Sequence, residues 1–233
     1  MRISGLQKMT LLDYPGKIAC TVFLGGCNFR CPFCHNGELL DGTVEPIMSV
    51  QELLDFLSRR RGLLDAVCIS GGEPTLQQDL ATLLEKVRQM GYLVKLDTNG
   101  SRPEVLKDLV ERKLLDYVAM DIKNAPSAYG QTAGTAVRLE EIEKSIRYLL
   151  EDHVDYEFRT TVVAQLHDAD GIVKMGEWVT SLVSGKKAKR WFVQPFADRD
   201  TVLYEGLSAP DDAQLEEFVG ILRCFSLVSS IRG

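Results

Sequence analysis

Apolar segments with the spacing of β-strands alternate along this chain with segments that have the spacing of α-helices. The strand segments are short apolar runs rich in β-branched residues, and the helical segments carry leucine or isoleucine on one face. The predicted strands are 17–24, 65–70, 92–98, 115–123, 155–163 and 190–196, with 225–231 as an additional short strand at the end. The predicted helices are 49–60, 78–90, 103–112, 139–151, 171–183 and 211–224.

About six β-α units with buried strands predict an α/β protein. Its sheet should be parallel, because strands that are apolar on both faces need helices on both sides. Six units are too few for an eight-stranded barrel, so an open barrel and a doubly wound sheet are the alternatives. No linker or internal repeat interrupts the chain, and one domain over residues 1–233 is the simplest organisation.

Composition and charge exclude some classes of partner. The chain has a net charge of −6 and a pI near 5.2, which argues against a nucleic-acid groove because such grooves are basic. No apolar run reaches the ~18 residues of a membrane span, and residues 1–17 lack the apolar core of a signal peptide. We therefore expect a cytoplasmic protein whose six cysteines are ligands or buried thiols rather than disulfides.

Polar residues gather where the predicted strands end. Because the carboxyl ends of parallel strands open on one face of a sheet, we expect these residues to share one ligand-binding rim. They are Cys27, Cys31 and Cys34 after the first strand, Gly71, Gly72 and Glu73 after the second, Asp97, Thr98 and Asn99 at the end of the third, Asp121 and Lys123 at the end of the fourth, and Arg159 within the fifth.

The three cysteines after the first strand have C-x3-C-x2-C spacing and favour a [4Fe–4S] cluster. Three thiolates on one loop can hold three irons and leave the fourth open to another ligand. A structural zinc site would need a fourth ligand from His35, which directly abuts Cys34, or from Cys20, which is predicted within a strand. Plain redox or structural thiols are a third alternative. The remaining cysteines lie in apolar patterns and are expected to be buried: Cys20, Cys68 and Cys224.

The segment Cys27-Asn-Phe-Arg-Cys31-Pro-Phe33-Cys34 resembles the C-x3-C-x-aromatic-C signature of the radical S-adenosylmethionine (SAM) enzymes. In that family the open iron of a [4Fe–4S] cluster binds the amino and carboxylate groups of SAM, and one electron cleaves SAM to methionine and a 5′-deoxyadenosyl radical. The resemblance implies one radical SAM domain with a partial (β/α)6 TIM-like open barrel. It also implies no catalytic residue beyond the cluster and SAM, and it places Phe33 at the SAM site.

The segment Gly71-Gly72-Glu73-Pro74 resembles the GGEP motif of the same family. In the family this turn contacts the SAM ammonium group, and glycines allow the backbone to approach a ligand closely. Read without the family, the segment is an ordinary turn.

Two further segments, Asp97-Thr98-Asn99-Gly100 and Met120-Asp121-Ile122-Lys123, resemble motifs of the glycyl-radical-enzyme activases, a branch of this superfamily. The resemblance implies that Lys123 pairs with the SAM carboxylate, with Asp97 beside it, and that Asp97, Thr98 and Asp121 supply oxygens for a monovalent cation. The alternative is that the two aspartates cap neighbouring loops and helices. Arg159 either reaches the SAM carboxylate or pairs with a carboxylate at the rim.

The amino-terminal segment Asp13-Tyr14-Pro15-Gly16-Lys17 and the Cys34-His35-Asn36 run resemble the anaerobic ribonucleoside-triphosphate reductase activating proteins. This resemblance implies a glycyl radical enzyme as protein substrate, flavodoxin or ferredoxin as electron donor, and no nucleic-acid or membrane partner. Asp13 is expected to meet the glycine loop of the partner.

The sequence departs from the activases at one late strand. The activases carry a histidine after a Pro-aromatic pair, whereas this chain has the run Gln194-Pro195-Phe196-Ala197, and His153 and His167 are expected at the surface.

Two other functions remain. One is a radical SAM enzyme for a small molecule, similar to 7-carboxy-7-deazaguanine synthase, and the other is a non-catalytic iron–sulfur or zinc protein.

Overall fold

The computed structural model describes residues Met1–Arg232, and the chain forms eight strands and seven α-helices within them. The strands are β1 (Ile3–Thr10), β2 (Ala19–Leu24), β3 (Ala66–Gly71), β4 (Leu93–Thr98), β5 (Tyr117–Asp121), β6 (Asp155–Val162), β7 (Ala188–Pro195) and β8 (Ser226–Ile231). The helices are α1 (Val50–Ser58), α2 (Leu80–Gln89), α3 (Pro103–Glu111), α4 (Tyr129–Ala133), α5 (Leu139–Leu150), α6 (Ala169–Ser181) and α7 (Asp212–Leu222). None of the helices within residues 1–232 has the length and apolar character needed to cross a membrane.

The strands form one sheet in which their order follows the chain from β1 to β8. Strands β2 to β4 pair in parallel, as do β6 to β8, which confirms the predicted α/β fold with a largely parallel sheet. The apolar pattern did not predict β1, which pairs antiparallel with β2. Its register shifts twice and three successive residues, Gln7–Met9, are exposed, so its polar and apolar residues do not alternate regularly.

The residues group into two compact units. The first unit contains Met1–Asn28, Glu38–Thr98 and Glu104–Val118, and the second contains Phe29–Gly37, Asn99–Pro103 and residues 119–232. Strand β5 begins in the first unit and ends in the second. The organisation of residues 1–233 as one domain stays a prediction.

Side-chain caps determine where two of the helices begin. Ser49 and Glu52 form the predicted capping box at the start of α1, where each side chain accepts the backbone N–H of the other residue. Helix α6 begins at Ala169, two residues before the predicted start, because the Asp168 carboxylate accepts the Gly171 N–H at 2.7 Å. Helix α4 has five residues, too few for apolar periodicity to predict it.

The first unit encloses a small core between its strands. The rings of Tyr14 and Tyr117 lie 5.7 Å apart and pack with Ala19, Ala66 and Cys68. Small side chains at these strand positions leave room for the two aromatic rings, whose burial stabilises the unit through the hydrophobic effect.

The second unit has an aromatic core on β6 and β7. The rings of Phe158 and Trp191 meet edge to face at 5.6 Å, and the Trp191 indole N–H donates to the Thr160 hydroxyl at 3.0 Å. This hydrogen bond satisfies the polar atom of a tryptophan that is completely buried.

The cysteines outside the three-cysteine segment differ in burial. Cys20 and Cys68 are completely buried, as predicted, and burial raises the pKa of Cys20 to about 12. The prediction for Cys224 is wrong, because this residue is exposed. Helix α7 ends at Leu222, two residues earlier than the predicted end, so Cys224 lies in the connection to β8 rather than on the apolar face of the helix.

Candidate functional site

The start of the three-cysteine segment and the Gly-Gly-Glu turn after β3 interlock within the first unit. A side chain at Gly72 would overlap the Gly26 carbonyl, and the Glu73 N–H donates to that same carbonyl at 2.8 Å. The Gln77 side-chain amide donates to the Gly25 carbonyl at 2.8 Å. Only glycine at position 72 allows the two backbones to come this close, which explains this part of the GGEP motif physically.

The carboxylate of Glu73 braces the ends of two strands. Glu73 is 1% exposed, and its Oε1 accepts the Thr75 N–H at 3.1 Å, the Thr75 hydroxyl at 2.5 Å and the Thr98 hydroxyl at 2.8 Å. Pro74 opens the short 3-10 helix Pro74–Leu76 that this carboxylate caps. The structure therefore holds the turn after β3 against the end of β4.

Asp97 lies at the end of β4 and is engaged by two neighbours within the first unit. Its Oδ1 accepts the Lys95 ammonium at 2.5 Å, and its Oδ2 accepts the Ser70 hydroxyl at 3.1 Å. Asp97 therefore forms a charge pair with Lys95 inside the unit. The sequence also allows Asp97 to cap a loop or helix, and these two contacts are not of that kind.

Asp13 lies in the connection between β1 and β2. Its Oδ2 accepts the Thr21 hydroxyl at 2.5 Å, while the following residue, Tyr14, is buried in the core. Leu11 and Leu12, just before it, are largely exposed. The role of Asp13 towards a partner protein stays a prediction.

The rest of the three-cysteine segment is held by α4 in the second unit. The Arg30 N–H donates to the Ala133 carbonyl at 2.9 Å, and the Cys34 N–H donates to the Cys31 carbonyl at 3.1 Å. Gly134, which ends α4 with a φ of +65°, faces the Arg30 carbonyl so closely that any side chain would overlap it. This five-residue helix, which the apolar pattern does not predict, thus supports the loop carrying Cys31 and Cys34.

His35 anchors the end of the segment to the residues that follow β7. Its Nε2 lies 2.7 Å from the Ala197 carbonyl, and its ring stacks on Phe196 at 5.8 Å. The Thr201 hydroxyl donates to the His35 carbonyl at 2.6 Å. A histidine therefore does lie beside the Pro-aromatic pair, but the cysteine segment supplies it rather than the late strand.

Lys123, just beyond β5, is a cationic residue next to the cysteine segment in the second unit. Its Nζ lies 5.9 Å from the centre of the Phe33 ring and 2.9 Å from the Asp121 carboxylate. Arg159 pairs with the other oxygen of Asp121 at 3.1 Å. A carboxylate at the rim was one of the two partners that the sequence allowed for Arg159. Lys123, Phe33, Asp121 and Arg159 are thus brought together.

Burial and charge act in opposite directions on these groups. Burial lowers the pKa of Lys123, but Asp121 and the Cys31 thiol outweigh it, so this pKa is raised above its ordinary value. Burial raises the pKa of Cys31 and of Cys34, whereas the charge of Lys123 lowers both. Burial is the larger influence, so the pKa of each thiol lies above its ordinary value, and the positive charge of Lys123 reduces that rise.

His167 is a buried residue, although the sequence predicts it at the surface. It is 5% exposed, so the expected surface position is wrong, whereas His153 is exposed as expected. Its Nδ1 accepts the Val163 N–H at 3.1 Å, and its Nε2 lies 2.9 Å from the Lys123 carbonyl. His167 therefore fixes the backbone of Lys123, and no motif in the sequence indicated this.

The donor set fits an iron–sulfur cluster chemically. Cys27, Cys31 and Cys34 are not joined in disulfides, and Cys27 and Cys34 are half-buried while Cys31 is buried. Thiolates are the soft ligands that such clusters take. Within residues 1–232, no three cysteine, histidine or acidic side chains are already gathered as a metal site.

Comparison with known proteins identifies the family. The model of the radical SAM superfamily matches residues 21–171. The chain belongs to this superfamily. A Methanocaldococcus jannaschii protein named as a glycyl-radical enzyme activating enzyme, MJ1227, is 34% identical over 227 residues, which cover 92% of this chain and 89% of that protein. These findings place the chain in the glycyl-radical activating branch and make it an oxidoreductase enzyme.

Two other proteins extend the comparison. A 7-carboxy-7-deazaguanine synthase of Thermococcus kodakarensis is 28% identical over 190 residues, which cover 73% of this chain and 72% of that protein. A crystal structure of a domain of a pyruvate-formate lyase-activating enzyme from Bacteroides vulgatus matches with a TM-score of 0.59 at 21% identity, covering 72% of this chain and 99% of that one. The second likeness supports the predicted fold class, an α/β partial barrel with an open sheet.

Proposed function

We propose that this chain activates a glycyl radical enzyme, with anaerobic ribonucleoside-triphosphate reductase as the partner. The observation that carries the proposal is that the Lys123 Nζ lies 5.9 Å from the centre of the Phe33 ring, between Cys31 and Cys34 in the sequence, within the second unit. A lysine ammonium beside a cysteine loop suits the carboxylate of a cofactor bound at that loop. The radical SAM membership and the glycyl-radical activating relatives support the same function.

Cys27, Cys31 and Cys34 would hold a [4Fe–4S] cluster. When bound, the cluster would supply one electron to SAM, and cleavage of SAM would give methionine and a 5′-deoxyadenosyl radical able to remove one glycine hydrogen from the partner. The chain itself positions the loop, through the Gly26 carbonyl in the first unit and through Ala133 in the second. Rigid support of this kind is what a cofactor enzyme contributes.

SAM would be held by residues that the family resemblance assigns. We propose that Lys123 and Arg159 attract the carboxylate of SAM while Asp121 keeps the two cations in place. The remaining residues proposed for the SAM site are Phe33, Gly71, Gly72, Glu73, Pro74 and Asp97. Glu73 would act mainly through its backbone, since its Oε1 already accepts hydrogen bonds from Thr75 and Thr98.

The proposed partners include an electron donor and a protein substrate. A flavodoxin or ferredoxin would reduce the cluster, and the protein would act in the cytoplasm. The net charge of −6 supports the absence of a nucleic-acid partner.

A second candidate is a small-molecule reaction similar to that of 7-carboxy-7-deazaguanine synthase. The 28% identity over 190 residues to such an enzyme supports it. The two candidates differ in whether the hydrogen is removed from a protein glycine or from a small molecule.

One anaerobic experiment tests both candidates. The protein is reconstituted with iron and sulfide, reduced and mixed with SAM, and then divided between one mixture with the ribonucleotide reductase of the same organism and a second with a deazaguanine precursor. We expect 5′-deoxyadenosine and a glycyl radical in the electron paramagnetic resonance spectrum. SAM cleavage without a glycyl radical, but with turnover of a deazaguanine precursor, would favour the second candidate. No SAM cleavage in either mixture would contradict both.

A further inference from the structure

Lys95 is a charged residue sealed inside the first unit. It lies in the middle of β4 and is 1% exposed, so its ammonium has almost no access to water. Its neighbour in the register of β3 is Cys68, which is itself paired with Thr21 of β2. A buried ammonium needs a charged partner, because taking an unpaired charge out of water is strongly unfavourable.

Asp97 is that partner. Residues two apart in a strand point to the same face, and the Lys95 Nζ lies 2.5 Å from the Asp97 Oδ1. The other carboxylate oxygen accepts the Ser70 hydroxyl. The negative charge of Asp97 is therefore offset by a side chain of its own strand.

Asp121 has the same arrangement within the second unit. Its two oxygens pair with Lys123 at 2.9 Å and Arg159 at 3.1 Å. The family resemblance implies a bound monovalent cation, which would offset the charge of carboxylates brought together. Each of the two carboxylates already has a side-chain cation, so these residues do not fit a resident metal ion.

We propose that the Lys95 ammonium is the permanent counter-ion of Asp97 and occupies the position in which a monovalent cation was expected. The protein would then be stable and bind SAM without K⁺ or Na⁺. The inference deepens the proposed function, on which it rests for the place of Asp97 in the SAM site. The charge pair itself can be tested without SAM.

The test measures the thermal midpoint of the full chain in KCl, NaCl and choline chloride at equal ionic strength. We expect the wild-type midpoint to be the same in all three salts. Lys95→Met removes the ammonium but keeps an unbranched side chain, so its midpoint should fall by roughly 5–10 °C in choline chloride. K⁺ or Na⁺ should restore much of this loss in a saturable manner, because the vacated space beside Asp97 can accept a cation.

A double variant provides the matched control. Lys95→Met with Asp97→Asn removes both charges, and its midpoint should not respond to the choice of cation. If Lys95→Met also shows no cation response, the ammonium does not occupy a cation position and the proposal is overturned. If Lys95→Met does not fold, the wild-type midpoints in the three salts decide. A saturable rise of the wild-type midpoint with K⁺, abolished in Asp97→Asn, would show a resident cation and overturn the proposal.

A second measurement uses the reconstituted protein. The dissociation constant of SAM should change by less than about twofold when choline replaces K⁺, and a tenfold weakening would contradict the proposal. If SAM is not bound in either salt, the proposed function fails, while the midpoints still decide the question of Lys95.

Discussion

The His167 Nε2 lies 2.9 Å from the carbonyl oxygen of Lys123, so a buried imidazole holds the backbone of the cationic residue beside the cysteine segment. Its Nδ1 accepts the Val163 N–H, so the neutral ring with a proton on Nε2 satisfies both bonds. Burial lowers the pKa of His167 below its ordinary 6.5. The unfolded chain therefore takes up this proton more readily than the folded chain.

This linkage predicts how stability depends on pH. The contribution of His167 is present above about pH 6.5 and is lost as the pH falls towards the folded-state pKa, at up to about 1.4 kcal/mol per pH unit. Urea unfolding between pH 5 and pH 8 measures how the free energy of unfolding depends on pH. His167→Gln should flatten the dependence, whereas the exposed His153→Gln should keep it. Equal slopes in His167→Gln and the wild type would show that His167 does not titrate in this way.

Replacing Cys34 by alanine should prevent assembly of a [4Fe–4S] cluster. The loop offers three thiolates for the four irons, so loss of one thiolate leaves two irons without a protein ligand. Iron and sulfide analysis after anaerobic reconstitution, together with the visible charge-transfer absorption, provides the measurement.

The exposed Cys224 supplies the matched control for that variant. Cys224→Ala removes a thiol of the same size and should keep four irons and four sulfides. A Cys34→Ala protein that also keeps them would mean that Cys34 is not a ligand.

Replacing Lys123 by methionine should weaken SAM binding roughly ten- to hundredfold while the iron content stays unchanged. The side chain loses its charge but keeps most of its length, so Asp121 loses its pair with Lys123 while its pair with Arg159 stays. Equilibrium binding of SAM to the reconstituted protein tests this. Lys107→Met, at an exposed position of α3, should bind SAM normally. Unchanged affinity in Lys123→Met would remove Lys123 from the SAM site.

Replacing Gly134 by alanine should destabilise the protein by roughly 2–4 kcal/mol, because the new side chain is strained at a φ of +65° and overlaps the Arg30 carbonyl. Gly185 has a similar φ of +78° but open space around it, so Gly185→Ala should lose only about 1–2 kcal/mol. The difference between the two free energies of unfolding isolates the contact with the cysteine segment. Equal losses of stability in the two variants would show that the cysteine segment moves away from the new side chain at no cost in free energy.

Periodicity predicted the buried strands and the long helices because their apolar residues repeat regularly. It failed where packing rather than pattern decides the structure. Strand β1 has three exposed residues in succession, and α4 has five residues in all. Cys224 continues the apolar pattern of α7, but the chain has already turned towards β8 at that point.

The motifs predicted most of the candidate site, because those residues are defined by short spacings along the chain. They could not show which side chains satisfy one another. Lys95 looked like an ordinary residue of an apolar strand, yet it provides the charge that Asp97 needs. His167 lies 44 residues from Lys123 along the chain, and no local pattern connects the two.

The segments of the two units alternate along the chain, so residues of one unit are synthesised at widely separated times. Residues Phe29–Gly37 leave the ribosome early, but their contacts Ala133, Gly134, Ala197 and Thr201 follow roughly a hundred or more residues later. A nascent chain therefore exposes Cys31 and Cys34 on an unsupported loop for most of its translation, since proteins are made from the amino terminus. Assembly of a cluster would then follow release, because a chain stopped before residue 196 would lack the contacts of His35 with Phe196, Ala197 and Thr201.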